Sequence, residues 1–167
     1  MSTGDLRIVD LGGNNVTPVR RFIVKAGKDS INAGEPVRIA HEATTGGFYV
    51  IRLLDAEPVI QQAYFLGIAA NAASHTSSAD GTVDVYLDQP GTIYAASPKT
   101  ANDANTQAKL DSYLFYRIVI DRTSNKFTAD LAADSATRAF VVIGGNPERD
   151  EVHFYCADGA SWRDRAR

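Results

Sequence analysis

The fold is indicated most clearly by residues 65–96, which read FLGIAANAASHTSSADGTVDVYLDQPGTIYAA. Within this stretch, apolar and polar residues alternate over 83–87 (VDVYL), which is the pattern of a strand buried on one face. Turn-forming pairs stand on both sides of that strand, Asp80-Gly81 and Pro90-Gly91. The small hydroxyl residues before the first pair are typical of a surface loop. The stretch therefore predicts β-strands joined by short connections.

The rest of the chain alternates between short apolar runs and turn signals in the same way. The runs are too short for most helices, and further turn-forming residues separate them: Gly12-Gly13-Asn14, Gly27-Lys28-Asp29, Gly46-Gly47, Gly144-Gly145-Asn146-Pro147 and Asp158-Gly159. Apolar and polar residues also alternate at residues 37–39 and 152–156, as in a strand with one buried face. Four runs are apolar on both faces and predict strands that lie centrally in a sheet or are buried from both sides: 22–24, 48–51, 118–120 and 140–143.

The number and spacing of these runs predict an all-β fold. We count about eight to ten strands, which is typical of a compact β-barrel or sandwich-like domain. One segment departs from the strand pattern. In residues 100–114 (TANDANTQAKLDSYL), Asn102 or Asp103 can cap a helix, and Gln107, Leu110 and Leu114 fall on one stripe. We therefore expect one short helix between strands.

The patterning divides the chain into three parts. Residues 1–19 are weakly patterned, and Leu6, Ile8 and Leu11 stand there among polar neighbours. They are expected to form an N-terminal arm, either an edge strand or a segment that orders on a partner. Residues 20–157 form the β-barrel-like domain, and residues 158–167 form a mixed-charge tail that carries Trp162.

Composition limits the classes of protein that remain. The chain has 167 residues, of which 44% are hydrophobic and 22% charged, which is close to average globular usage and fits one domain. The net charge of −3 lacks the basic excess that phosphate binding needs, so we expect no nucleic-acid partner.

The single cysteine and the start of the sequence bear on the compartment. Cys156 alone cannot form an intramolecular disulfide, so folding can take place in a reducing compartment. The start, MSTGDLRIVDLGG, contains no apolar stretch typical of a signal peptide, and no window approaches the roughly 18 apolar residues of a spanning helix. We expect synthesis in a cytoplasm and no membrane association.

Candidate catalytic and metal-binding residues are few. His41, His75 and His153 form no local cluster with carboxylates or thiolates. His153 and Cys156 stand three apart in a predicted strand, so their side chains should point to opposite faces. Ser74-His75 precedes Asp80 in the predicted surface loop, but no nucleophile elbow is present, nor a phosphate-binding glycine motif. The sequence predicts no enzyme, metal or cofactor. A hydrolase using His75 or His153 with an acid is the weakest alternative.

The central block resembles the head decoration proteins of tailed bacteriophages. In those proteins a strand ending in a small-residue "flGia" turn leads to a polar loop, a "DG-V-VY" strand and a proline-glycine turn. The matching positions are Phe65-Leu66-Gly67-Ile68-Ala69, Asp80-Gly81, Val83, Val85-Tyr86 and Pro90-Gly91. An earlier segment, Ile31-Asn32-Ala33-Gly34-Glu35-Pro36-Val37, resembles their "i-aGepV" entry to a barrel strand, and Arg117 to Leu131 followed by Phe140 resembles their closing strands. The resemblance covers residues 20–156.

This resemblance implies a virion structural protein without catalytic activity. It implies binding to the major capsid protein on the outer surface of the capsid, which the chain would decorate and cement. It also implies a homo-oligomer, with a trimer favoured. The candidate partner-binding residues are Leu6, Ile8 and Leu11 in the arm and Trp162 in the tail.

A binding module is the main alternative. A virion-associated β-domain that binds glycans or host surfaces has the same composition, and it requires exposed aromatic residues near Asp or Asn, for which Tyr94 and Trp162 are candidates.

Overall fold

A computed structural model describes residues 6–11, 17–53, 64–123, 126–132 and 138–157. In these residues the chain forms strands β1 (Arg7–Leu11), β2 (Val19–Val24), β3 (Pro36–His41), β4 (Phe48–Arg52), β5 (Tyr64–Ala69), β6 (Gly81–Leu87), β7 (Thr92–Ala96), β8 (Arg117–Thr123), β9 (Lys126–Asp130), β10 (Phe140–Asn146) and β11 (Glu151–Cys156). Helix α1 (Gln107–Ser112) follows β7, and a single 3-10 turn, Pro147–Arg149, joins β10 to β11. The predicted all-β fold with one short helix is confirmed.

The strands form two antiparallel sheets, one of which is a half-barrel. The first has six strands in the order β1-β7-β11-β10-β8-β9, and the second has five in the order β2-β6-β5-β3-β4. The hairpins β3–β4, β8–β9 and β10–β11 join strands that are adjacent in both sequence and sheet. These short connections account for part of the close spacing of turn signals in the sequence. Other sheet neighbours, such as β1–β7 and β2–β6, are distant in sequence.

The five-stranded sheet encloses one hydrophobic core. The first and last strands in its order, β2 and β4, approach each other. Apolar side chains from the strands and from the loop after β2 meet inside: Val24, Ile31, Val37, Val50, Leu66, Ala69, Val83, Val85 and Leu87. The predicted inward face of residues 83–87 is therefore confirmed.

The six-stranded sheet encloses a second core, built around aromatic rings. Phe65, Tyr94, Phe140 and Phe154 are fully buried, and neighbouring ring centroids lie 5.1 to 6.3 Å apart. Most of these pairs are edge-to-face, the arrangement that aromatic quadrupoles favour. The Tyr94 hydroxyl donates a 2.8 Å hydrogen bond to the buried carboxylate of Asp88. The hydroxyl oxygen of this buried ring therefore has a hydrogen-bond partner.

Strand β5 contributes to both cores. Phe65 and Ile68 face the aromatic core, whereas Leu66 and Ala69 face the other. An irregularity in the pairing with β3 at this point breaks strict alternation along β5. Gly67 makes the irregularity possible, since its φ is +146° and a Cβ there would lie 1.9 Å from the carbonyl oxygen of Tyr86.

Two of the four runs predicted to be central lie at sheet edges instead. Residues 22–24 belong to β2 and residues 48–51 to β4, the two outer strands of the five-stranded sheet. Phe48 is accordingly 65% exposed and rests edge-on against His41. The prediction holds for residues 118–120, which are buried. Apolar runs alone do not reveal which strands find neighbours on both sides.

The helix lies inside the predicted segment but begins later. Its N-cap is Thr106, whose hydroxyl accepts from the Lys109 N–H at 3.3 Å, rather than Asn102 or Asp103. Asn102 is in the left-handed region, with a φ of +69°. Of the predicted apolar stripe only Leu110 is buried. The predicted stripe does not form, because Gln107 is exposed and Leu114 lies beyond the end of the helix.

The described residues of the predicted arm, 6–11 and 17–19, lie in both sheets. Residues 7–11 form β1, which pairs with β7 in the six-stranded sheet, and Val19 begins β2 of the five-stranded sheet. Leu6 is 4% exposed in the aromatic core, and Ile8 packs against that core. β1 is thus an edge strand, which is one of the two forms expected of the arm. Contact of Leu6 and Ile8 with a partner stays a prediction, since both residues also line a cleft of about 590 Å³.

Candidate functional site

The strongest candidate site is a set of exposed apolar residues on the six-stranded sheet and in the segment before β8. Along β11, Val152, Phe154 and Cys156 belong to the core, so Tyr155 lies on the outer face. Leu114 and Phe115 are exposed before β8, and Ile143 is exposed at an irregularity in the β10–β11 pairing. We call the four exposed residues the outer-face patch: Leu114, Phe115, Ile143 and Tyr155. Exposed apolar side chains that include aromatic rings are typical of a protein-binding surface.

Phe115 is the most prominent member of the patch. Its side chain is 75% exposed, and its φ of +65° places it in the left-handed region. This conformation costs a non-glycine residue roughly 1–2 kcal/mol. Two backbone hydrogen bonds fix it, from the Phe115 N–H to the Val142 carbonyl at 2.8 Å and from the Val142 N–H to the Tyr116 carbonyl at 3.0 Å. The ring is thus presented on a constrained backbone, which reduces the entropy lost on binding.

A buried ion pair lies on the same face of the sheet. Glu151 is almost fully buried, and both of its carboxylate oxygens accept from Arg7 Nη2 at 2.8 Å. His153 Nε2 lies 3.1 Å from the same carboxylate. Because β7 separates β1 from β11, the Arg7–Glu151 pair connects the edge strand β1 to a strand in the sheet interior.

The Arg7–Glu151 pair should contribute to stability through its buried member. Arg7→Ala would leave the Glu151 carboxylate buried with only His153 beside it, and we expect it to lower the free energy of unfolding by about 2–3 kcal/mol. The Arg7→Ala/Glu151→Ala double variant should lose less than the sum of the single losses, because it leaves no unpaired buried charge. Urea unfolding of the four proteins measures this coupling, and strictly additive losses would contradict it.

A polar cleft lies where β2 approaches β4. It has a volume of about 430 Å³ and is lined by Lys25, Ala26, Lys28, His41, Glu42, Ala43, Tyr49 and Asp80. Lys25 Nζ lies 3.4 Å from a Glu42 oxygen and 3.1 Å from an Asp80 oxygen. Lys28 Nζ lies 5.4 Å from the Tyr49 ring centroid. We call this site the β2–β4 cleft.

Hydrogen bonds lower the pKa of the two carboxyl groups in this cleft. The Thr45 hydroxyl, with Lys25 nearby, holds the pKa of Glu42 below its usual 4.5. The Ala26 N–H, together with Lys25, holds the pKa of Asp80 below its usual 3.8. Both groups are therefore ionised at neutral pH. On the adjacent β2–β6 pair, the Arg21 guanidinium likewise lowers the pKa of Asp84.

These lowered pKa values predict loss of stability in acid. A carboxyl group with a lowered folded-state pKa contributes stability above its unfolded pKa and loses it as the pH falls through the folded value. We expect the urea midpoint to change little from pH 7 to about 5 and to fall below about pH 4.5. Asp84→Asn should be less stable at neutral pH and should approach the wild type at low pH. Parallel curves for the two proteins would contradict the assignment.

The other residues that the sequence offered as candidate site residues lie on separate parts of the fold. Leu11 is half-buried in β1, and Tyr94 is fully buried, so Tyr94 cannot serve as an exposed aromatic contact. Trp162 lies outside the described residues. The histidines are on separate elements: His41 in β3, His75 in the loop before β6, and His153 in β11. No group of three or more His, Cys, Asp or Glu side chains among the described residues could hold a metal ion.

The sequence analysis missed Phe115, which lies directly after the segment interpreted as a helix. The available signal was an aromatic residue between that segment and the strand at 117–123. That signal does not distinguish an exposed ring from one folded into the core.

Comparison with known proteins gives no relative from which a function could be transferred. No family model, curated protein or solved structure matches the chain. In the part of the chain that the structure describes, none of the helices has the length and apolar character to span a membrane.

Proposed function

We propose that this chain is a virion structural protein that binds the outside of a tailed-phage capsid and stabilises the head. The observation that carries the proposal is the outer-face patch, with Phe115 held outward on a constrained backbone. The resemblance of residues 20–156 to head decoration proteins gives the class of partner, the major capsid protein. No catalytic step is part of the proposal.

A fold with two packed hydrophobic cores suits a protein that stabilises the capsid by adding contact area, rather than by changing its own conformation. Binding only to the assembled shell stabilises that state by linkage, so each bound copy shifts the equilibrium toward the intact head. Because a capsid offers many equivalent sites, a modest affinity at each one is sufficient. A closed homo-oligomer, with a trimer favoured, would match the rotational symmetry of such a lattice.

Purified heads that lack the protein provide the test. The full chain should sediment with these heads in a saturable manner and should raise the temperature at which heated heads release their DNA. Light scattering of the free chain gives its mass, and a trimeric mass is expected. A chain that stays in the supernatant at all concentrations, with no change in DNA release, would contradict the proposal.

A further inference from the structure

The β2–β4 cleft has the chemistry of a binding site and lies on the five-stranded sheet, away from the outer-face patch. Its lining alternates between groups that accept hydrogen bonds and groups that donate them. The Lys25 ammonium stands between the carboxylates of Glu42 and Asp80. Fixed partners hold these groups in position, since Thr45 donates to Glu42 at 2.8 Å and the Ala26 N–H donates to Asp80 at 2.9 Å.

Such a lining matches a ligand rich in hydroxyl groups. Each hydroxyl both donates and accepts a hydrogen bond, so a polyol is best bound by carboxylates and ammonium groups at neighbouring positions. The charges in the cleft are balanced, with two lysines facing one glutamate and one aspartate. This balance favours a neutral ligand over a phosphate or a polyanion. It also disfavours a metal ion, because the Lys25 ammonium already occupies the position between the two carboxylates.

Two rings, Tyr49 and His41, complete the site, since both line the cleft. The Tyr49 ring stands beside the polar groups, with Lys28 Nζ 5.4 Å from its centroid. An aromatic ring beside polar groups is suited to a ligand with one apolar and one polar face. A sugar ring has such faces, formed by its C–H groups and its hydroxyls.

We propose that the β2–β4 cleft binds a neutral saccharide of one or two sugar rings. The volume of about 430 Å³ lies within the range of small-molecule sites and is too small for a long oligosaccharide. The carboxylates of Glu42 and Asp80 accept from sugar hydroxyls, Lys25 and Lys28 donate to them, and the aromatic residues contact the C–H face. This activity is independent of head binding, since it uses a different sheet.

An array of immobilised neutral and anionic oligosaccharides, probed with the labelled full chain, tests the assignment. We expect retention on neutral hexose or hexosamine saccharides, followed by saturable binding of the best of these in solution calorimetry. Tyr49→Ala and Glu42→Gln, which alter two residues that line the cleft, should each weaken that binding at least tenfold. Tyr155→Ala, in the outer-face patch, is the matched control and should bind the saccharide as the wild type does.

Three outcomes would overturn the proposal. The first is no retention of any neutral saccharide, with none bound in solution at millimolar concentration. The second is saccharide binding that Tyr49→Ala and Glu42→Gln leave unchanged, and the third is a preference for anionic sugars. Circular dichroism of each variant shows whether it is folded. Because Tyr49→Ala should still bind heads, failure of this proposal is distinguishable from failure of the proposed function.

Discussion

Gly67→Ala is expected to prevent folding or to lower the free energy of unfolding by about 4 kcal/mol or more. Two costs combine at this position. The φ of +146° belongs to a region that only glycine adopts readily, and the new Cβ would lie 1.9 Å from the Tyr86 carbonyl oxygen. Relief of that contact requires β5 to move away from β6. Because β5 contributes side chains to both cores, such a movement would disturb both.

The variant Gly144→Ala separates the cost of the backbone conformation from the cost of the close contact. Gly144 has nearly the same backbone conformation, with a φ of +147°, but a Cβ there would meet nothing within 4 Å. This variant should fold and should lose only the conformational cost, about 1–3 kcal/mol. Urea unfolding followed by circular dichroism gives both values. Equal losses in the two variants would show that the close approach of β5 to β6 is not what requires Gly67.

The contrast between these glycines shows what the sequence can and cannot predict. Local patterns correctly predicted the strand at residues 83–87 and the buried run at 118–120, because alternation and apolar content report burial directly. They did not show that β2 and β4 are edge strands, because sheet order depends on distant parts of the chain. The sequence also marked Gly67 as part of a turn, whereas in the fold it lies within the paired strand β5.

The candidate site was less predictable than the fold, for the same physical reason. In the sequence, Leu6 and Ile8 are apolar residues among polar neighbours, whereas in the fold β1 pairs with β7 and places both against the aromatic core. The exposure of Phe115 depends on two backbone hydrogen bonds involving Val142, which is 27 positions further along the chain. Contacts at that separation leave no periodic signal in the sequence.

Phe115→Asn is expected to weaken head binding by at least about thirtyfold, since a central aromatic contact contributes about 2 kcal/mol or more. The same substitution should leave the free energy of unfolding unchanged or raise it slightly. Asparagine tolerates the left-handed conformation better than phenylalanine, and the exposed ring contributes little to the core. The variant therefore separates binding from folding, which substitutions in a core cannot do.

Phe48→Asn provides the matched control. Phe48 is also a highly exposed phenylalanine, but it lies on an edge strand of the five-stranded sheet. Loss of head binding in both variants would indicate nonspecific adhesion of exposed aromatic rings rather than a defined surface.

The most direct test of the outer-face patch is the affinity of three proteins for purified heads that lack the chain: wild type, Phe115→Asn and Phe48→Asn. Co-sedimentation over a range of protein concentrations gives the dissociation constants. Our account predicts saturable binding of the wild type and of Phe48→Asn with similar constants, and a loss of at least about thirtyfold for Phe115→Asn. Wild-type affinity in a folded Phe115→Asn variant, or no binding by any of the three proteins, would contradict it.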